Sequence, residues 1–369
     1  MAKQFREDTT KAIKSRIIEY ISDRGEVTRN DIIQECGFSL PTVLQKIKEL
    51  KESGLIAEVG QSESSGGRKA KIISIVRDSR LAIGINITNH HLEMVLVGLD
   101  GVLLNKERIR FHFEPTYTYY EQFGRKVEEF VSGNVTDREK ILGIGISLPG
   151  VLDNGNRVIR KSHAFQLENY SLMDLEKALP YPVVFENDGN AAALSEKRFR
   201  TGTAFYLSLN ATVGGAFSVN GKPYGGVNNK SSEIGHMILF PEGKTCYCGK
   251  KGCVDSYCSA KVLGDGNLQE FFSLLEDGNE ENRLIWDRYL ENLSVVISNI
   301  RMLNDCEIIV GGHVGGYMEK YLSSLRLLTM QYDYLDQDAL FIHCGKYRWE
   351  ASAYGMAFKL IHQFFSTVV

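Results

Sequence analysis

The sequence predicts an α/β protein in two parts: a winged helix-turn-helix segment over residues 1–77, then a larger two-lobed part over residues 78–369. Three observations predict this. Apolar residues recur at helical spacing in three short segments before Gly54, and two strand-like runs follow them. From Leu81 onward, strand-like and helical runs alternate. Two of those runs carry their own hairpin signals, Asp100-Gly101 and Asn220-Gly221, so one structural theme occurs twice.

In the first segment, Ile13, Ile17, Ile18 and Ile21 define a helix ending near Gly25. Thr28 can cap the next helix, with Asp31 three residues on in a box-like arrangement, and Gly37 stops it. Ser39 is suited to cap a third helix that has Pro41 in its first turn and Val43, Leu44, Ile47 and Leu50 as its apolar stripe. This reads as a recognition helix. Ser39, Thr42, Gln45, Lys46 and Lys48 are the expected DNA-facing positions, because these side chains reach phosphates or base edges from a major groove. Residues 55–60 and 70–76 flank a Ser-Gly-Arg-Lys stretch and predict a β-hairpin wing, with Arg68 and Lys69 at its tip for phosphate or minor-groove contact. Charge agrees with this division. Residues 1–80 hold 15 Lys and Arg against 12 Asp and Glu, a net +3, whereas the remainder holds 28 against 34, a net −6.

In the larger part, Leu81–Ile87 is expected to pair with Leu92–Val97, and Ile141–Leu148 reads as a buried strand ending in a Pro-Gly loop. The second copy begins with Thr203–Leu209 and continues through Gly214–Gly221. The lobes are placed at about 78–185 with the C-terminal helix, and 186–345, with a cleft between them. Tyr117, Tyr119 and Tyr120 read either as packing or as an entrance to that cleft.

His236, Cys246, Cys248 and Cys253 form a plausible tetrahedral Zn²⁺ set, since thiolate and imidazole suit the ion and short spacings bring the ligands together. Cys258 is the alternative to Cys253. The surrounding run, Gly225-Gly226, Ser232-Glu-Ile-Gly-His236 and Cys246-Tyr-Cys-Gly-Lys-Lys-Gly-Cys-Val-Asp255, resembles the signature of the ROK family of sugar-responsive repressors and sugar kinases. The resemblance covers roughly residues 80–369. It implies an actin-like, ribonuclease-H-like duplicated fold with a structural zinc, and sugar contacts from Glu233 and His236. Phe185-Glu-Asn-Asp-Gly-Asn-Ala-Ala-Ala is similar to a family element in which Asn and Asp bind sugar hydroxyls. Asn187 and Asp188 take those places, and Asp188 would be the catalytic base in a kinase. Read locally, Asn187-Asp188 also suits a helix N-terminus. Ser147, Pro149 and Gly150 resemble a further cleft loop. Asp255 stands where the family usually has Glu, one methylene shorter, and joins the sugar-site candidates that the resemblance implies.

The family's phosphate loops are altered. Ile85-Asn-Ile-Thr-Asn-His replaces an Asp-x-Gly-Gly-Thr turn, so Asn86 lacks the carboxylate that would help hold Mg²⁺. Asn210-Ala-Thr-Val-Gly-Gly keeps only Gly214 of the second loop, while Gly311-Gly-His-Val-Gly-Gly316 resembles the adenosine-side turn. ATP and Mg²⁺ are therefore not expected.

The remaining composition is ordinary for a soluble chain: 369 residues, 43% hydrophobic, 24% charged and a net charge of −3. No apolar run approaches the ~18 residues that span a bilayer. Reduced cysteines and the absence of a secretory start lead to the expectation of a cytoplasmic protein with no membrane partner. The expectation for function is a non-catalytic, sugar-responsive repressor that binds operator DNA as a homodimer or tetramer. The rivals are an active ATP-dependent sugar kinase with a fused DNA-binding domain and a constitutive DNA-binding protein with a vestigial pocket.

Overall fold

The computed structural model describes residues 2–61, 70–153 and 155–368. The head consists of helices Ala2–Arg24, Arg29–Cys36 and Leu40–Glu52 with strands Glu26–Thr28, Ile56–Gln61 and Lys71–Ile75. Lys71–Ile75 is the middle strand of the sheet, antiparallel to both others. Ile17, Ile18, Ile21, Val27, Ile32, Val43, Ile47, Leu50 and Ile73 form its core.

Local chemistry sets the helix starts. Thr28 and Asp31 form a reciprocal capping box: Asp31 Oδ2 accepts the Thr28 N–H at 2.7 Å, and Thr28 Oγ1 accepts the Asp31 N–H at 3.3 Å. Ser39 caps the third helix by accepting from Thr42 N–H at 3.4 Å. The first helix is longer than its isoleucine spacing indicates, and Glu26–Thr28 is a strand that the sequence does not announce. The wing strands pair as expected, but Arg68 and Lys69 lie outside the described residues.

The two lobes share one plan. In the first sheet, Leu81–Ile87, His91–Gly98 and Leu103–Arg110 make an antiparallel meander, and Leu81–Ile87 is also parallel to Ile141–Leu148, which is parallel to Val183–Asn187. In the second, Ala204–Leu209, Val213–Val219 and Lys222–Pro223 make the meander, and Ala204–Leu209 runs parallel to Glu307–Gly311, which is parallel to Ile342–Cys344. Asp100-Gly101 and Asn220-Gly221 turn the corresponding hairpins in the two copies. A small three-stranded flap, Val151–Leu152, Val158–Ser162 and Leu167–Ser171, projects from the first lobe. Tyr119 and Tyr120 are buried in the first lobe's core, whereas Tyr117 is exposed. Among the described residues, no helix is long and apolar enough to cross a membrane.

Helix Ala351–Thr367 lies across the first sheet at backbone distance. A Cβ on Gly84 would sit 1.7 Å from the Ala353 carbonyl oxygen, and one on Gly355 would sit 1.7 Å from that of Ala191. Only glycine permits either approach. Gly355 thereby seats helix Asp188–Leu194, while Phe358, Ile361 and Phe365 join the apolar cluster that contains Ile17, Ile18 and Ile21 of the head. Replacing Gly355 with Ala forces two backbones apart. Gly355→Ala is expected to destabilise the protein by about 1–3 kcal/mol or more, seen as a lower urea midpoint; an unchanged midpoint would show that this crossing is not tight.

Candidate functional site

The sulfur and imidazole groups converge without any other metal-type cluster among the described residues. One ligand atom from each of His236, Cys246, Cys248 and Cys253 lies within 4.8 Å of the others. Cys248 and Cys253 sulfurs are 3.7 Å apart, and Cys246 Sγ is 3.9 Å from His236 Nδ1. Those edges match a tetrahedron with bonds of about 2.3 Å to sulfur, so the residues fit a metal ion of the zinc type. Cys258 is buried elsewhere, with its carbonyl accepting from Tyr289 Oη at 2.6 Å, and is no part of the cluster. Burial, then the charge of Lys250, push the His236 imidazole pKa down, which favours the neutral ring that a metal needs. The loop is held by short pairings: Ile238 bridges Cys253, and Lys250 Nζ donates to the His236 carbonyl at 3.0 Å.

The candidate sugar residues come from both lobes. Asn187 ends strand Val183–Asn187 and caps helix Asp188–Leu194, accepting from Asn190 N–H at 3.0 Å. Its Nδ2 donates to the Gly150 carbonyl at 2.9 Å, tying the Ser-x-Pro-Gly loop to the cap. Burial pushes the Asp188 carboxyl pKa up, opposed by the Gly189 N–H that it accepts. Glu233, from the second lobe, is pushed up by desolvation and then by the Asp188 carboxylate facing it. His236 follows Glu233 in one 3₁₀ turn, with its N–H on the Glu233 carbonyl at 3.1 Å. Asp188 and Glu233 are thus within electrostatic reach of each other across the two lobes, with Asn187 and His236 beside them in the chain, and the four offer donors and acceptors of the kind that suits hydroxyl groups. Asp255 is different. It is 5% exposed, and its Oδ2 accepts the Val213 N–H at 2.7 Å, which gives it a backbone-holding role.

The corner around Asn86 is occupied by protein groups that pair with one another. Asn86 Nδ2 donates to Glu93 Oε2 at 2.7 Å, Ser147 Oγ donates to Asn86 Oδ1 at 2.9 Å, and Arg108 Nε lies 3.0 Å from Glu93 Oε1. Across the cleft, the second loop is tied to the glycine turn, with Asn210 Oδ1 accepting the His313 N–H at 2.8 Å. Burial holds His313 down to about 4, so its ring is neutral.

On the head, the recognition helix departs from the expected face. Lys46, expected to point outward, is only 6% exposed, and its Nζ is held 2.9 Å from Glu49, which also pairs with Lys14 at 2.8 Å. Its aliphatic stem packs inward while the ammonium is neutralised. Leu44, assigned to the buried stripe, is 38% exposed. Ser39, Gln45 and Lys48 are exposed and Thr42 is half-buried, so the outward surface combines these polar groups with Leu40 and Leu44.

Two residues at the cleft were not singled out from the sequence. Tyr247 sits between two cysteines with its hydroxyl 3.3 Å from His236 Nε2, and His163 of the flap meets its ring edge-on at 5.6 Å. Tyr247's place inside the cysteine motif was a usable signal; His163 had none.

The ROK family pattern matches residues 82–363, and a winged helix-turn-helix DNA-binding pattern matches residues 11–57. The xylose repressor of Bacillus subtilis (strain 168) is 26% identical over 256 residues, covering 67% of this chain and 65% of that protein. The chain thus spans just under two thirds of the length of that relative. The DNA-binding transcriptional dual regulator NagC of Escherichia coli (strain K12) is 26% identical over 279 residues, covering 73% of this chain and 67% of that protein. Among solved structures, a ROK family transcriptional regulator described as a homologue of the E. coli MLC protein superposes with a TM-score of 0.74 at 20% identity, covering 97% of each chain. That likeness supports the fold.

Glu93 supplies a test of this corner. Burial raises its carboxyl to about 7, against the pull of Asn86 and Arg108. The folded protein then holds a proton that the unfolded chain has released, so this group's contribution to stability falls as pH rises from about 4.5 to about 7. Glu93→Gln is expected to remove that slope, gaining on the wild type by on the order of 2–3 kcal/mol between pH 4.5 and 7.5 in urea titrations. Equal slopes would contradict the burial of this carboxyl.

Proposed function

The chain belongs to the ROK family, and we propose that it is a sugar-responsive transcriptional repressor whose head binds operator DNA and whose cleft binds the sugar. The observation that carries the reading is one continuous packing path. Asn187, Asp188, Glu233 and His236 converge where helix Asp188–Leu194 begins, and that helix is seated on the same C-terminal helix that receives the head. Ser352 Oγ donates to the Asp188 carbonyl at 3.0 Å, and Lys197 Nζ, just beyond helix Asp188–Leu194, donates to the Asp23 carbonyl of the head at 3.1 Å. A sugar that favours one position of the Asp188 helix therefore bears on the placement of the first helix. Ligand control then requires different sugar affinities for the two placements.

In this reading the nucleotide site is lost, since Asn86, Glu93, Arg108 and Ser147 already pair with one another where phosphates would need donors and a metal. Asp188 acts as a hydrogen-bond acceptor for a sugar hydroxyl, not as a base. The ion held by His236, Cys246, Cys248 and Cys253 is Zn²⁺. Bound there, it would fix the imidazole through Nδ1 and leave Nε2 toward the cleft. A homodimer or tetramer presents paired heads to paired half-sites. The relatives named xylose repressor and N-acetylglucosamine repressor support a carbohydrate signal.

Two measurements test this. Operator affinity, followed with and without a bound sugar, should change by about 5–150-fold. Asp188→Ala should abolish that change while leaving sugar-free operator binding intact. Equal operator affinity with a tightly bound sugar would refute the coupling, and MgATP-dependent phosphorylation lost in Asp188→Asn would install the kinase reading instead. For the metal, elemental analysis should find one zinc per chain, and a chelator should lower Tm sharply, as should Cys253→Ser. Purified protein that is stable and metal-free would remove the zinc assignment.

A further inference from the structure

We propose that the cleft takes a disaccharide, with a second ring seated between the flap and the cysteine loop; this rests on reading the cleft as the sugar site. A cavity of about 380 Å³ opens there, lined by Lys161, His163, Gln166, Glu168 and Tyr247. Its two walls are the immediate neighbours of the candidate sugar residues. On the first-lobe side, Asn187 Nδ2 donates to the Gly150 carbonyl at 2.9 Å, and Gly150 is so close to the flap that a Cβ there would lie 2.7 Å from the Lys161 carbonyl oxygen and 2.9 Å from Ser162 Cβ. On the second-lobe side, Tyr247 Oη is 3.3 Å from His236 Nε2, with ring centroids 5.3 Å apart. The cavity therefore begins where the first ring's partners end.

Size and lining both suit a second ring. The volume is at the lower end of the range for small-molecule sites, roughly 300–1,000 Å³. A pyranose has apolar C–H faces and a rim of hydroxyls. Tyr247, 49% exposed, offers an aromatic face for the former. Glu168 and Lys161 are direct cross-strand partners in the flap and offer an acceptor and a donor on a fixed support. Gln166 adds an amide at the flap's turn, where its φ of 54° is a left-handed conformation that residues with a Cβ seldom adopt. The charge balance favours a neutral ligand over a phosphate, because Glu168 stands opposite Lys161 and would face any anion that the lysine attracted.

The test is calorimetric titration of the full chain with matched pairs: glucose with cellobiose and maltose, xylose with xylobiose, N-acetylglucosamine with its β-1,4-linked dimer, and glucose 6-phosphate as the charged control. One disaccharide should bind about tenfold or more tightly than its monomer. In the Gln166→Ala, Glu168→Ala double variant, whose changes are at exposed flap positions, that disaccharide should fall to the monomer's affinity while the monomer is unaffected. Unchanged melting of the variant checks that the flap is intact. A monosaccharide that binds as tightly as its dimer, or a variant that weakens both equally, overturns the second ring and leaves the sugar reading standing. Binding confined to glucose 6-phosphate also overturns it, in favour of an anion. No binding by any sugar fails both.

Discussion

Close backbone packing around helix Ala351–Thr367 is the constraint from which the other arrangements follow. Gly84 lets the helix lie on the central strand of the first sheet, and Gly355 lets helix Asp188–Leu194 lie on it in turn. Side chains of ordinary size at either position would lift one layer off the next. The crossing fixes Asp188 at the cleft on one side and offers Phe358, Ile361 and Phe365 to the head on the other. Burying these side chains is what joins the head to the larger part, since each large apolar group removed from water is worth about 1.5–3 kcal/mol.

The cysteine loop imposes a second, more local constraint. It has little regular structure of its own, and its turn is held by isolated bridges and by the convergence of four ligand atoms. Such a loop would draw rigidity from an ion bound by the four. Because His236 belongs to the ligand set and also meets Tyr247 through its other ring nitrogen, stiffness given to the loop would be passed directly to the imidazole proposed to face the sugar.

Much of the fold was legible because its signals are short-range. The Thr28–Asp31 box, the Ser39 cap and the Asp100-Gly101 and Asn220-Gly221 turns are each decided within four residues, and the structure has them all. What escaped depends on partners distant in sequence. Lys46 lies on a helix face that periodicity alone leaves ambiguous, and only the presence of Glu49 beside Lys14 of another helix draws it inward, which in turn rotates Leu44 out. Asn86 could be read as a missing carboxylate, but its bond to Glu93, itself paired with Arg108, requires the register of three strands. Asp255 could be placed after the third cysteine, yet its bond to Val213 N–H depends on a strand some forty residues earlier in the chain. The cleft residues of each lobe were recognisable as motifs; their facing partners, His163 and Tyr247, become visible only when the flap meets the loop.

The docking of the head on helix Ala351–Thr367 has a consequence for biosynthesis. The head's first helix leaves the ribosome well before the surface that receives it, more than three hundred residues later in the chain. Domains fold as units during synthesis, so the head completes its own core long before its seat exists. Until the C-terminal helix is laid against Gly84, a nascent chain carries a finished winged head that is not yet seated on the rest of the protein.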